Sequence, residues 1–523
     1  MLVVDIETNL QGKVLAIGSV LEGSTDVHIF NGWKEFLPYA YSLDETKWIG
    51  HNAGKFDYLS LLEHLLYHET NIRLRSWEAI ENDGSIIFCK LTLNSKQFTL
   101  FDSYRLIPTS LDTLAKELVG LEKKEINTLP EKLSKSNLHS YLENDCLILS
   151  KSLLEFDRQL HKLGYKREVR PITIAQASLA TFEDRTGLRY RQISRYVNDI
   201  GRQAYNGGRV QVFKHGVFKQ VNVYDVNSMY PYVMFKHIYP INSEYHLTTN
   251  FKDLPGLWLC DFHHTGISPI YRKGEEVKKT TKEPIWLTTE EAKNVKLTKV
   301  HRGFTFINNE YIFKDYVLSL YEQRTKKTGL GFVSKLLMNS LYGKFAQRED
   351  CASIVYSEDM PKPNWTPLSM GKAFYSVPST RVVVHQFVPV SALITANARM
   401  ELYRYLDGDT IYCDTDSIHT TKHMDTDISI GGLKLEFSGQ GIYVGKKLYC
   451  LKGDSVIVKA KGVKTHGNPL YGGYANLTWK DYLKMDNGLS VVCRYDTMPT
   501  LREVIDGERS CSVKKRIRTL RKL

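Results

Sequence analysis

The sequence predicts a multidomain chain, α/β at its N-terminal end and α+β beyond it. Three observations carry that expectation. First, 523 residues, 42% of them hydrophobic and 24% charged, are enough for roughly two to four separate cores. Second, the first part of the chain alternates strand and helix patterns, and the later parts do not keep that alternation. Third, eight Cys are scattered with no CxxC pair. Neither a zinc finger nor a disulfide framework organises the fold, and free thiols fit a reducing compartment such as the cytoplasm.

In chain order, MLVVDIET reads as a buried strand and FDYLSLLEHLLYH (56–68) as an amphipathic helix. SIIFCKLTLN and QFTLFDSY read as strands, and 136–160 as one long helix. A second unit starts near 166, and KQVNVYDV (219–226) alternates as a strand does. Residues 240–310 are rich in Lys, Thr and Pro and read as an irregular insertion. Residues 311–346 predict two helices broken at KKTG (326–329). Residues 347–380 are polar and hold four Pro, which predicts a second insertion; 388–406 predicts a helix, followed by a strand pair around YCDTDS (412–417). The end, GERSCSVKKRIRTLRKL (507–523), reads as a flexible, solvated basic tail, with phosphate contact as the sharper alternative. The N-terminus has an acid at position 5 and no basic run, so no signal peptide is expected. No apolar stretch is long and unbroken enough to predict a membrane span.

Composition also points to a partner. A net charge of +12 with 31 Tyr suits a polyanion, with phosphates for the Lys and Arg and bases for the rings. Charge alone is equally compatible with simple solubility.

The acids fall into two sets. Asp5 and Glu7 are two apart on a strand and so share a face. Asp57 lies in HNAGKFDYL at the mouth of a helix, with Asn52 and Phe56 beside it. Tyr141 and Asp145, four apart, share a helical face. Four carboxylates at one point require about two divalent cations, the arrangement that serves phosphodiester cleavage. Tyr141 is placed to orient a water, and Lys123 is a candidate charge stabiliser. In the second set, Asp225 ends a strand in YDVNSMYP, and Asp414 and Asp416 sit in YCDTDS. Taken singly, each is an ordinary turn or cap residue. Taken together, Asp225 and Asp416 form a second two-metal site with Asp414 beside it, able to join a hydroxyl to a triphosphate. In KLLMNSLYGKFA (335–346), read as one helix, Lys335, Asn339 and Tyr342 share a face. That face offers a phosphate contact, a sugar contact and a stacking ring. Gly343 would let a base pair come close.

The ordered series DIET, HNAGKFD, YLEND, YDVNSMYP, KLLMNSLYG, YCDTDS and KKLY (446–449) resembles the family B DNA polymerases with a proofreading exonuclease, over residues 5–449. YCDTDS, NSLYGKF and YNGG (205–208) resemble the protein-primed branch of phages and linear plasmids. The resemblance implies an RNase H-like 3′→5′ exonuclease at 1–165, followed by a right-hand polymerase. Its palm would be 166–239, terminal-protein region one 240–310, fingers 311–346, terminal-protein region two 347–380, the second part of the palm 381–465, and the thumb with the basic tail 466–523.

The resemblance also implies roles. Asp5, Glu7, Asp57 and Asp145 would bind exonuclease metals. Asp225, Asp416 and the Val226 carbonyl would bind polymerase metals: Mg²⁺, for which Mn²⁺ can substitute. Tyr230 would exclude a 2′-hydroxyl, and Lys335, Asn339 and Tyr342 would bind the nucleotide. One further basic residue would come from the first finger helix, with Arg324, Lys326 and Lys327 as alternatives. Asn52, Phe56, Ser103, Tyr205, Gly207, Gly208, Gly343, Arg399, Lys447 and Tyr449 would contact DNA. The implied activity is DNA-directed DNA synthesis primed by a protein hydroxyl, with strand displacement, by a monomer in the host cytoplasm, without a membrane. Template and primer DNA, dNTPs and a terminal protein would be its partners. Two rivals stand beside it: a family B polymerase that uses a nucleic-acid primer or none, and a catalytically silent DNA-binding relative. The second requires lost acids, and every expected acid is present.

Overall fold

A computed structural model describes residues 1–523 except 69–70, 83, 192, 281–282, 327–328, 349–351, 358–361, 369–372, 379–382, 467–472, 508–513 and 523. Lys327, Pro361, Cys351 and Cys511 lie outside the described residues. The six described cysteines are free and buried.

The N-terminal unit is built on a strand Leu2–Thr8 that pairs antiparallel with Val14–Leu21 and parallel with Lys47–Gly50. Lys47–Gly50 in turn pairs parallel with Lys96–Asp102. Leu2, Val3 and Val4 are buried, as the near-continuous apolar run of a strand covered on both faces requires. The helix Lys135–Lys162 covers one face of the sheet; Ser134 caps its first turn, accepting from the Asn137 N–H. Leu138, Tyr141, Leu142, Asp145, Cys146, Leu149 and Leu153 make its buried stripe. Gly18 admits this helix closely, since a Cβ there would lie 2.8 Å from Cys146 Sγ.

This sheet has ten strands. Beyond Lys96–Asp102 it continues through the hairpin of Ser85–Leu93 and Leu74–Asn82, and then through Ser353–Ser357, Phe374–Val377 and Thr366–Pro367. The polar stretch 347–380 therefore adds strands to the edge of the first unit. Its core also takes Phe374 and, from near the C-terminus, Leu501, Val504 and Ile505. Tyr67 Oη donates to the Val504 and Ile505 carbonyls at 3.1 and 2.8 Å.

The second large sheet is antiparallel, in the order Val456–Ala460, Leu448–Lys452, Leu433–Gly445, Gly216–Val226, Ser417–Thr420, Thr410–Asp414, Val210–Val212. The helix Val388–Tyr403 is buried nearly all round, packed among the helices Arg195–Ala204 and Met229–Lys236. A helical hairpin is formed by Lys314–Thr325 and Gly329–Ser340. Gly331 lets the two helices close on each other, because a Cβ would lie 2.9 Å from the Gln323 carbonyl oxygen.

Three expectations are corrected. The described residues of 240–310 are not irregular: they form a four-stranded sheet of Tyr245–Thr248, Lys296–Phe306, Gly256–His263 and Ile285–Thr288. Two register shifts along the pairing of Gly256–His263 with Lys296–Phe306 break the alternation that would have announced strands. The basic tail is not a loose end: Lys514–Leu520 pairs with Val491–Thr497 along its whole length. The 335–346 segment is not one helix. The α-helix stops at Ser340, and Tyr342–Ala346 is a 3₁₀ turn.

Candidate active sites

The first site lies on the ten-stranded sheet. Carboxylate oxygens of Asp5, Glu7 and Asp145 come within 4.8 Å of one another. Asp57, the first residue of the helix Asp57–Tyr67, stands outside that tight group but feels the Asp5 charge and adds to the field on Glu7. Burial, and then the Asp145 charge, push Asp5 up to about 7. Burial and then Asp5 push Glu7 and Asp57 well up. Lys123 Nζ is 2.5 Å from Asp145 Oδ2 and 4.9 Å from the centre of the Tyr141 ring. Burial works against that ammonium, but Asp145 and Tyr141 more than offset it and keep it protonated. One lysine does not balance four acids, and Asp145 Oδ1 is buried with no hydrogen-bond partner. An all-carboxylate set with an orphaned oxygen fits a hard divalent cation such as Mg²⁺.

The neighbouring loop is held rigidly. Asn52 is in the left-handed region (φ 59°). Asp102, buried, accepts from the backbone N–H of Gly54 at 3.2 Å and of Tyr104 at 3.0 Å. Gly54 has no room for a side chain, since a Cβ would sit 1.9 Å from the Ile86 carbonyl oxygen. Asp102 was not singled out from the sequence; the one available signal was an acid at the end of a strand. Ser103, expected at DNA, is only 1% exposed. Its hydroxyl donates to the Gly50 carbonyl at 3.0 Å and lies 3.0 Å from His51 Nδ1. Ser103 thus props the loop that carries Asn52 from beneath.

The second site lies on the antiparallel sheet. Asp225 pairs with Ser417, so Asp416 is its diagonal neighbour. Asp414 and Ser417 close a two-residue turn in which Thr415 has φ 63°. The Val226 N–H donates to the Asp416 carbonyl at 2.8 Å, locking the two strands together. Burial and then Asp416 push Asp225 up to about 7; burial raises Asp416 as well. Glu436, on the adjacent strand and unmarked by any sequence pattern, adds to the negative field on both. Here too the all-oxygen donor set fits a hard cation.

Basic groups flank the acids on two sides. Arg324 Nη1 donates to Ser228 Oγ, one turn past Asp225. Lys326 is exposed and bonded to Gln323, so among the described candidates Arg324 is the one that reaches the site. Lys335 and Asn339 are exposed on one helical face. Tyr342 leaves that face with the 3₁₀ turn and stacks on Tyr230, centroids 4.1 Å apart and planes at 14°. Around Gly343 an added Cβ would meet nothing within 4 Å, so its surface is open. On the other side, Lys447 Nζ lies 3.3 Å from Asp414 Oδ2. Tyr412 Oη donates to the same oxygen at 3.0 Å. Tyr449 is buried in a ring cluster with Tyr412, Tyr443 and His419.

The YNGG loop joins this site directly. At Gly208 a Cβ would lie 2.7 Å from the Thr415 side chain, and the Thr415 N–H donates to the Arg209 carbonyl at 2.8 Å. Tyr205 is half-buried, and Gly207 faces open space. Arg399, expected at DNA, is only 2% exposed. Its Nη1 donates to the Asn206 and Gly207 carbonyls, and its Nη2 to Glu291 Oε1 at 2.8 Å. Arg272 grips the same carboxylate with two bonds of 2.8 Å. The buried Arg399–Glu291–Arg272 triad therefore ties the inserted subdomain to the YNGG loop. Sequence reasoning missed Glu291, because its partners are far away in the chain.

A family model described as DNA polymerase type B, organellar and viral, matches residues 117–430. The chain is 26% identical over 521 residues to a probable DNA polymerase of Ascobolus immersus, covering 80% of this chain and 42% of that protein. It is 26% identical over 458 residues to the DNA-directed DNA polymerase of Enterobacteria phage PRD1, covering 82% and 78%. It is 26% identical over 368 residues to the DNA polymerase of Bacillus phage phi29, covering 62% and 60%. The chain spans less than half the length of the Ascobolus and Podospora relatives it matches. Its fold is similar to that of phi29 DNA polymerase in complex with primer-template DNA and incoming nucleotide, with TM-score 0.76, 20% identity and full coverage of both chains.

Proposed function

The chain belongs to the organellar and viral type B DNA polymerases, and from that premise we propose that it is a DNA-directed DNA polymerase with a 3′→5′ proofreading exonuclease, primed by a protein hydroxyl and able to displace a downstream strand. The observation that carries the reading is Asp225 at the end of one strand and Asp416 in the turn that leads into its neighbour, with Arg324 on one side and Lys447 on the other. A nucleotide triphosphate suits the first side and a primer end the second.

Asp225, Asp416 and the Val226 carbonyl would hold Mg²⁺, which when bound lowers the cost of charge on the reacting hydroxyl and on the triphosphate. Arg324, Lys335 and Asn339 bind and orient the triphosphate. Tyr230, braced by Tyr342, shapes the floor beneath the sugar. The priming oxygen, a primer 3′-hydroxyl or a Ser, Thr or Tyr hydroxyl of a terminal protein, loses its proton and bonds to the α-phosphorus as pyrophosphate leaves. At the other site, Asp5, Glu7, Asp57 and Asp145 would hold the metals of the exonuclease. Lys123 and Tyr141 steady the attacked phosphate and the water, and Asn52 and Phe56 grip the frayed strand.

The test is a 5′-labelled primer with a mismatched 3′ end, supplied with Mg²⁺ and dNTPs. Wild type should trim and then extend it. Asp416→Ala should trim without extending, and the double variant Asp5→Ala, Glu7→Ala should not trim. Each loss should be about a thousandfold, as removal of several kcal/mol of charge stabilisation implies. Trimming that survives in the double variant would refute the exonuclease assignment. Asp416-dependent transfer of a nucleotide to a protein encoded beside this chain would support protein priming.

A further inference from the structure

The turn that carries Asp414 and Asp416 leans on the edge of its sheet. The strand Thr410–Asp414 pairs on its outer side with Val210–Val212, which is three residues long and last in the strand order. A strand that short has little pairing of its own to hold it. Yet its entry fixes the turn at two points. Asp414 pairs with Val210, and the Thr415 N–H donates to the Arg209 carbonyl at 2.8 Å. Thr415 is the left-handed residue of the turn (φ 63°). The Asp416 N–H then donates back to the Asp414 carbonyl at 2.8 Å. The Arg209 backbone thus helps set where both acids stand.

The Arg209 side chain is 1% exposed, and each of its three guanidinium nitrogens is bonded. Nε and Nη2 donate to Gln211 Oε1 at 3.0 and 2.7 Å, and Nη1 donates to the Ser268 carbonyl at 2.6 Å. Nη2 also donates to Glu276 Oε2 at 3.2 Å. The Glu276 carboxylate accepts as well from Gln211 Nε2 at 3.0 Å and from the Ser268 N–H at 2.8 Å. The guanidinium lies 5.4 and 5.5 Å from the centres of the Phe213 and Tyr271 rings. Tyr271 Oη donates to the Val210 carbonyl. Tyr271 and Glu276 pair across one small hairpin of the inserted subdomain, so that hairpin holds the short strand from two directions. Burial opposes the Glu276 charge, but Gln211, the Ser268 N–H and Arg209 outweigh it and keep its carboxyl below the ordinary value. A charge-assisted contact with every donor spent tolerates little movement.

We infer that Arg209 and Glu276 are positioning residues of the polymerase site: their buried pair, acting through the Arg209 carbonyl, sets the turn that presents Asp414 and Asp416. Resting on the polymerase reading above, this gives the inserted subdomain a part in aligning the acids.

The experiment uses the full chain. Glu276→Gln keeps the shape of the side chain and removes the charge opposite a buried guanidinium. Single-nucleotide incorporation is followed by rapid quench in the Asp5→Ala, Glu7→Ala background, so that primer ends stay intact. Trimming of single-stranded DNA is followed with those two acids in place. The incorporation rate at saturating dNTP should fall about 10–100-fold, while the apparent Kd for dNTP stays within about twofold, because displaced acids slow the reaction more than they weaken binding. Trimming should stay within about twofold. Arg209→Gln should lose as much, and the double variant no more than either single change, since the two residues act as one unit. Amide hydrogen exchange, measured without substrate or metal, should quicken about tenfold over 410–417 in Glu276→Gln and stay unchanged in the helix Lys135–Lys162. Equal losses of incorporation and trimming, losses that multiply in the double variant, or unchanged exchange over 410–417 would each overturn the inference. If the unaltered protein incorporates nothing, the polymerase reading fails, and exchange over 410–417 still judges the pair.

Discussion

Tyr230 lies flat on Tyr342, and Tyr342 is held in turn by its own carbonyl, which accepts from Ser391 Oγ. A ring fixed from below cannot move aside for an extra hydroxyl on a sugar above it. Tyr230→Val should therefore raise the kcat/KM for ribonucleotides relative to deoxyribonucleotides by roughly 10–100-fold. Single-nucleotide incorporation with paired dNTP and NTP measures this, and unchanged selectivity would refute the gate. The residues at strained backbone positions tell a similar story. Among the described residues, the non-glycine positive-φ positions Asn52, Ser228, Thr415 and Lys447 fall within the motifs HNAGKFD, YDVNSMYP, YCDTDS and KKLY, whereas Asn94 and Lys273 sit in hairpin turns. The acids were legible in the sequence because charges that close together must be solvated or bridged. Ser103 and Arg399 were misread for a physical reason: a residue's type and motif do not say whether its side chain faces solvent. Burial turned both into supports for loops.

At the scale of elements, the buried Arg399–Glu291–Arg272 triad ties the inserted segment to the helix Val388–Tyr403 and to the YNGG loop. Burial opposes the Glu291 charge, but the two guanidinium groups outweigh it and hold the carboxyl at about 2, below its ordinary 4.5. A depressed carboxyl stabilises the fold fully above the unfolded value and loses that contribution as the pH falls towards 2. Wild type should therefore lose roughly 3 kcal/mol over that window that Glu291→Gln does not lose. At neutral pH, Glu291→Gln should itself cost about 3–5 kcal/mol, because it leaves a buried guanidinium uncompensated. Thermal unfolding of both proteins from pH 7 down to pH 2 checks both statements. Most elements were legible: the long helix Lys135–Lys162, the helical hairpin and the strands around the acids follow their periodicities. The inserted strands were not, because bulges break their alternation. The stop at Ser340 was also hidden, since Leu341 and Tyr342 continue a helical pattern that the stacking on Tyr230 interrupts.

At the scale of the molecule, the N-terminal unit is not closed by the first 165 residues. Its core includes Phe374, Leu501, Val504 and Ile505, and its sheet runs on into 353–377. A fragment of residues 1–165 should therefore unfold without a sharp transition. In the full chain, Leu501→Ala with Val504→Ala should cost about 2–5 kcal/mol per site and raise hydrogen exchange in the helix Asp57–Tyr67 first. Cooperative folding of the fragment would contradict this. Nothing local could have shown the contact, because Tyr67 and its two carbonyl partners are more than four hundred positions apart. The N-terminal unit, the strands within 353–377 and the helix Leu501–Asp506 thus share one core.

In the proposed reading the chain copies DNA without a helper and displaces the strand ahead of it. The most direct measurement is extension of a DNA primer into a downstream duplex, with Mg²⁺, dNTPs and no accessory protein, comparing wild type with Asp416→Ala. Wild type alone should give long products running through the duplex. Absence of extension by wild type, or products from Asp416→Ala equal to those of wild type, would contradict it.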